Sequence, residues 1–79
     1  MNERVRSVLQ EFNLFGTKIE NSTRLIEDMA LDSLAMVELL AILERTFEIS
    51  IDQEEVSRAN FETVDNLEQF VSSKLQKGG

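Results

Sequence analysis

Asp28-Met29-Ala30-Leu31-Asp32-Ser33-Leu34 runs directly into Ala35-Met36-Val37-Glu38-Leu39-Leu40-Ala41-Ile42-Leu43-Glu44-Arg45-Thr46-Phe47, an apolar segment edged with acids. Asp32 and Ser33 stand where a helix begins. Either side chain can accept a hydrogen bond from an orphan backbone N–H of the first turn, and capping alone would account for an Asp-Ser pair in front of an apolar run. The second helix is therefore expected to start at Asp32 or Ser33, with Ser33 read as a cap, and to end near Glu48. Val37, Leu40, Leu43 and Phe47 mark its core face, with Leu39 and Ala41 flanking. Glu38, Glu44, Arg45 and Glu48 fall on its solvent side.

Upstream, Val5, Val8, Leu9 and Phe12 recur at i, i+3, i+4 and i+7, one apolar face of a helix. Asn2 is its cap, Glu3 suits its positive end, Leu14 and Phe15 extend its apolar material, and Gly16 stops it, which gives a first helix over 3–14. Residues 16–31 keep no period. Gly16, Thr17, Asn21, Ser22 and Thr23 are loop formers, while Ile19, Leu25, Ile26, Met29 and Leu31 are expected to pin the loop across the core. Downstream, Ile49 and Ile51 anchor a turn. Asp52-Gln53-Glu54-Glu55 has capping-box spacing before a short helix in which Val56 and Ala59 are the apolar positions. Phe61-Glu62-Thr63-Val64 opens the last helix. Thr63 is its cap, Asp65 and Glu68 lie in its first turn, and Val64, Leu67, Phe70 or Val71, and Leu75 form its core stripe. Lys74 and Lys77 suit its C-terminal end before Gly78-Gly79. No segment alternates as a strand would.

The 79 residues read as one small domain, 1–79, with 42% hydrophobic residues, too many for a disordered chain. The sequence has no Cys and no His, so thiolate metal sites and the usual acid-base residue of catalysis are both missing. Ser33 has no evident base to activate it. The acids do not follow a calcium-loop pattern, and no metal site is expected. No apolar run reaches the roughly 20 residues of a membrane span, and Met1-Asn2-Glu3-Arg4 lacks a signal-peptide layout, so a soluble, cytoplasmic chain is expected. A net charge of −7 repels nucleic acid and anionic lipid and attracts basic partners.

The run Asp28–Leu34, followed by Val37-Glu38-Leu39, resembles the modification site of acyl carrier proteins, and the resemblance extends over nearly the whole chain. It implies an all-α four-helix bundle of acyl-carrier type, with three longer helices, one short helix and a long loop after the first. It also implies that Ser33 carries a covalent 4'-phosphopantetheine arm taken from coenzyme A by a phosphopantetheinyl transferase, with Asp32 helping to place metal or transferase. The chain would then be non-catalytic and monomeric. It would be acted on by acyl-loading, condensing or modifying enzymes with basic docking patches. Leu34, Ala35 and Met36 are consecutive, so one helix face cannot bury all three. Leu34 and Met36 are accordingly expected beside the arm as partner contacts, with Asp32, Glu38, Glu44 and Glu48 as the acidic field and Arg45 among them to meet an acid on the partner or repel partners built for fatty-acid carriers.

The departures from the family pattern are informative. Arg45 replaces an acid usual in fatty-acid carriers, Ala30 replaces a usual Gly, and Asp52 replaces a frequent Pro. Asn60-Phe61-Glu62-Thr63-Val64 looks more like carriers of polyketide or nonribosomal peptide pathways, whereas the Asp before Ser33 resembles acyl rather than peptidyl carriers. The reading favours a freestanding carrier of a specialised pathway. The alternatives are a fatty-acid carrier, an aminoacyl or peptidyl carrier and, from another class, an acidic helical adaptor in which Ser33 is only a cap.

Overall fold

The computed structural model describes residues 3–12, 16 and 18–76. Asn2, Leu14, Phe15, Thr17, Lys77, Gly78 and Gly79, to which the sequence assigns a cap, apolar extensions and loop or terminal roles, lie outside them. Among the described residues the chain forms α1 (Glu3–Gln10), α2 (Ser33–Phe47), α3 (Arg58–Phe61) and α4 (Val64–Gln76), with a 3-10 turn at Gln53–Glu55 before α3. This is the expected all-α arrangement of three longer helices and one short one.

In α1 the apolar stripe is buried as its spacing requires: Val5, Val8 and Leu9 are all in the core. The α-helical hydrogen bonding stops at Gln10 rather than at residue 14. The N–H groups of Glu11 and Phe12 donate to Val8 and Leu9, three residues back, which tightens the chain into a turn. Arg6 leaves the same helix sideways. Its Nε donates to Glu68 Oε2 of α4 at 3.2 Å, its Nη1 to the Ile19 carbonyl at 3.1 Å, and its Nη2 to Asn21 Oδ1. Glu68, placed by the sequence at an exposed first turn, is buried because this pairing takes it inward.

The connection between α1 and α2 is ordered by two kinds of anchor. Leu25, Met29 and Leu31 are buried, as expected, but Ile26 is 61% exposed. The backbone is stitched to the start of α4: Leu25 N–H donates to Glu62 O, Val64 N–H to Thr23 O, and Asp65 N–H to Asn21 O, around an antiparallel bridge between Arg24 and Thr63. The chain then closes on itself. The Asp28 and Met29 amides donate to the Arg24 carbonyl, the Leu31 amide donates to Leu25, and Asp28 Oδ2 accepts the Arg24 N–H at 2.9 Å. Closing this ring puts Ala30 at φ 57°, a left-handed backbone that costs a residue with a Cβ.

Helix α2 sits in a different rotation from the one its composition indicates. Leu39, Leu43 and Phe47 are the buried stripe, Leu40 is half-buried, and Val37 is 62% exposed. Too many apolar residues compete for one face, so tertiary partners decide which face is buried. The helix ends as expected, with Glu48 in the left-handed region, its N–H on the Glu44 carbonyl, and Ile49 buried behind it.

The expected short helix is two pieces. Glu55 Oε1 accepts the Asp52 N–H at 2.9 Å, the reach-back half of the box, but only the 3-10 turn Gln53–Glu55 follows. Glu55 also meets Lys74 of α4, whose Nζ donates to both of its oxygens at 2.9 and 3.1 Å. Val56, at φ −81° and ψ 81°, breaks the helix before α3. Phe61, assigned by sequence to the last segment, is instead the buried anchor of α3. It packs on Phe70 with ring centres 5.5 Å apart, while Ala59 is exposed. Thr63 caps α4 reciprocally with Asn66: Thr63 Oγ1 accepts the Asn66 N–H at 3.1 Å, and Asn66 Oδ1 accepts the Thr63 N–H at 3.2 Å. Phe70 and Val71 are both buried, whereas Leu75 is 42% exposed.

Two outcomes follow from the ring around Arg24. Ala30 is exposed and strained only in φ, so Ala30→Gly should raise the free energy of unfolding in urea by about 0.5–1 kcal/mol. The Arg24 backbone N–H, helped by its guanidinium, holds the Asp28 carboxyl below its ordinary value of 3.8. A depressed folded-state pKa stabilises above the unfolded value and loses its effect as pH falls. Asp28→Asn should therefore lower the melting temperature at neutral pH, and the gap to wild type should close as pH drops through 3.8. A gap constant from pH 7 to 3 would assign the loss to packing instead.

Candidate functional site

Asp32 settles which residue of the pair caps α2. Its backbone is extended, at φ −89° and ψ −175°, and its Oδ1 accepts the Ala35 N–H at 2.8 Å. Ser33, expected to be a cap, is the first residue of the helix instead. Because Asp32 satisfies the third-residue amide, the Ser33 hydroxyl is left without a hydrogen-bond partner among the described residues, and it is exposed. Its chemistry is that of a free primary alcohol at the positive end of a 15-residue helix. No base touches it, so it does not act as an activated nucleophile by itself.

Beside Ser33 an open groove of about 660 Å³ runs between α2 and the segment after it. Asp32 and Ser33 form its rim. Met36, Val37 and Leu40 line it from α2, Ile26 and Leu31 from the preceding connection, and Ile51, Gln53 and Val56 from the far side. A second cleft of about 390 Å³ shares Ile26, Met36 and Val56 with it and reaches Phe61, with Arg24, Glu27, Arg58 and Glu62 around it. Those four charges are matched among themselves: Arg24 Nη1 lies 3.2 Å from Glu27, and Arg58 lies 3.7 Å from Glu62. The apolar surface left open next to the hydroxyl is thus continuous through both clefts, with Asp32 the one charged residue lining the groove at Ser33.

The other residues singled out by sequence fall into three places. Leu34 is 71% exposed next to Ser33, and Met36 is half-buried between the two clefts. Glu38 and Arg45 meet at a separate notch with Glu11 and Phe12 of the turn after α1. Glu48 is exposed at the far end of α2. Glu44 does not belong to an open acidic field. It is half-buried, and its Oε2 accepts the Ile51 N–H at 2.8 Å, holding the turn after α2. Sequence reasoning missed Ile26, Val37, Ile51 and Val56 as groove walls and Glu11 as a neighbour of Arg45. The surplus of apolar positions on α2 was the available signal for Val37. Nothing local marks the others.

An exposed alcohol at a helix start, with first-turn backbone amides ready for a phosphate and an apolar groove alongside, fits a phosphopantetheine ester. No helix of the described residues is long and apolar enough to cross a membrane. Residues 3–71 match the family described as the phosphopantetheine attachment site. Aminoacyl carrier protein 2 of Bradyrhizobium diazoefficiens is 35% identical over 74 residues, 94% of this chain and 81% of that protein. An acyl carrier protein of Buchnera aphidicola is 33% identical over 78 residues, 98% of this chain and 95% of that one. Among solved structures, holo acyl carrier protein from Nitrosomonas europaea superposes with a TM-score of 0.79 at 35% identity, covering 94% of each chain. A chain in the complex of Bradyrhizobium japonicum glycine:[carrier protein] ligase with its cognate carrier protein superposes with a TM-score of 0.74 at 28% identity, covering 91% of this chain and 99% of that one. The chain therefore belongs to the phosphopantetheine-attachment family, as a non-catalytic carrier protein that bears acyl or aminoacyl groups on phosphopantetheine and is acted on by partner enzymes.

Proposed function

We propose that Ser33 is the residue that bears the arm and that the protein serves a polyketide, nonribosomal peptide or related specialised pathway. The observation that carries the first part is the unbonded, exposed Ser33 hydroxyl at the first position of α2, with Asp32 doing the capping. In loading, the Ser33 oxygen forms a bond to the phosphorus of coenzyme A's pantetheine phosphate. The pyrophosphate P–O bond breaks, the nucleotide leaves, and the serine proton passes to a base of the transferase. The arm supplies a thiol on a flexible tether. The chain's own part is to present the oxygen clear of other hydrogen bonds, to stabilise the phosphodiester with the amides of Ser33 and Leu34 and the α2 dipole, and to leave Asp32 free on its second oxygen for metal or transferase. Leu34 and Met36 give a partner enzyme an apolar foothold beside the arm, and Glu38 and Glu48 give it an acidic one.

The likeness to aminoacyl carrier protein 2 and to the ligase-bound carrier supports a second reading of the cargo, an amino acid loaded by an adenylate-forming ligase. Arg45 and the Asn60–Val64 stretch support either specialised reading over fatty-acid synthesis.

Incubation with coenzyme A and a broad-specificity transferase should add one phosphopantetheine by intact mass, and Ser33→Ala should add none. Modification persisting in that variant would remove Ser33 from the role, and no modification of the wild type would favour an acidic adaptor. Because Asp32 holds the cap, Ser33→Ala should change stability by less than about 0.5 kcal/mol, whereas Asp32→Ala should cost about 1 kcal/mol. Loading of the thiol by glycine ligase but not by fatty-acyl enzymes would select the aminoacyl reading.

A further inference from the structure

The positive side chains of the described residues are mostly committed inside the molecule. Arg6, Arg24, Arg58 and Lys74 each meet a carboxylate, at 3.2, 3.2, 3.7 and 2.9 Å. Arg4 donates to the Thr46 carbonyl and lies over the Phe47 ring. Arg45 does neither: it is exposed and makes no ion pair among the described residues, in a protein with 15 acids. It borders a notch of about 370 Å³ whose other walls are Glu11, Phe12, Glu38, Ala41 and Ile42. Glu11 and Glu38 are exposed and likewise form no ion pair among the described residues. On α2 the lining positions 38, 41, 42 and 45 recur at i, i+3, i+4 and i+7, so they form one stripe about 10 Å long. This stripe is distinct from the 33, 36, 37 and 40 stripe that borders the Ser33 groove.

Three unpaired charges of two signs around an apolar floor constrain what can sit there. A purely basic surface satisfies Glu11 and Glu38 but places like charge against Arg45. A purely acidic surface has the opposite fault. Desolvating an unmatched charge is costly, so either mismatch weakens docking. We infer that this notch is a partner-reading site for a protein segment that presents one carboxylate to Arg45, flanked by cations for Glu11 and Glu38 and by an apolar side chain for Phe12, Ala41 and Ile42. The inference rests on the carrier reading, because it places this contact on the helix that begins with Ser33. It brings the turn after α1 into recognition and makes Arg45 a selector against partners that are basic throughout.

The test uses the full-length phosphopantetheinylated chain and two helical probe peptides. One carries Lys, Glu and Lys along one face with a leucine beside the Glu; the other is identical except that the Glu is Lys. In amide chemical-shift titrations the mixed peptide should shift residues 11, 12, 38, 41, 42 and 45 and bind more tightly than the all-Lys peptide. Arg45→Gln should erase the preference, and Arg45→Glu should reverse it, each by about fivefold for exposed pairs. Equal or tighter binding of the all-Lys peptide to the wild type, shifts confined to other residues, absence of binding by either peptide, or an unchanged preference in Arg45→Glu would overturn the proposal. Circular dichroism of each variant confirms folding. Mass gain at Ser33 is read in the same samples, so the notch can fail while the carrier reading stands.

Discussion

The arrangement depends on one guanidinium. Arg6 of α1 joins α4 through Glu68 and joins the long connection through the Ile19 carbonyl and Asn21. Asn21 and Thr23 in turn accept the first backbone amides of α4, and Thr23 Oγ1 is itself held between Lys18 and Glu20. Three parts of the chain that are remote in sequence are thus fixed to one point. An ion pair this buried is not a large source of net stability, since desolvation offsets much of the attraction. Its effect is on uniqueness. A buried Glu68 without Arg6 is an uncompensated charge, so alternative placements of the connection are penalised. With the connection fixed, Leu25, Met29 and Leu31 reach the core at a defined register, and the chain arrives at Asp32 already extended for the cap.

That placement has a functional consequence. The hydroxyl of Ser33 is useful only if it is presented without competing hydrogen bonds, and the division of labour with Asp32 achieves this. The same rotation of α2 that buries Leu39, Leu43 and Phe47 leaves Val37 and Leu34 outside. Exposure of large aliphatic groups next to the proposed attachment point costs solubility, which the surrounding acids restore. With Ser33 proposed to bear the arm, the exposed Leu34 and Val37 belong to the proposed site rather than to a defect in packing.

Much of this was legible in the sequence because it is local. Helix existence, the Asp52–Glu55 reach-back, the Thr63 cap and the end of α2 near Glu48 rest on neighbours a few residues away. Ala30 was legible only as a departure from the family's Gly, and its φ of 57° supplies the physical reason for that Gly. The illegible parts are set by distant partners. Glu68 looks like a solvated first-turn acid until Arg6, 62 residues away, claims it. Glu44 looks like a docking acid until Ile51 presents its amide. Glu55, which spacing assigns entirely to a cap, keeps that bond and also takes Lys74 of α4, and the short helix divides at Val56. The rotation of α2 is of the same kind: its composition offers several possible core faces, and only packing against the other elements selects one.

These claims on acids also determine where the field of the protein lies. Glu27, Asp28, Glu55, Glu62 and Glu68 are paired with internal cations, and Glu44 accepts a backbone amide. Along α2 and at its two ends that leaves Asp32, Glu38, Glu44 and Glu48 without an ion pair among the described residues, with Arg45 the only opposite charge among them. Net charge on its own would spread attraction over the whole surface. Internal pairing removes it from Glu27 and Asp28 in the connection and from Glu62 after α3, and leaves it along the helix that starts at Ser33. A carrier must be met quickly and released quickly, and unpaired charge on the helix that presents Ser33 raises the encounter rate while leaving the contact itself weak. Folding and recognition are coupled here by the same charges: pairs that hold the connection and the turns in place also determine which acids remain for a partner to find.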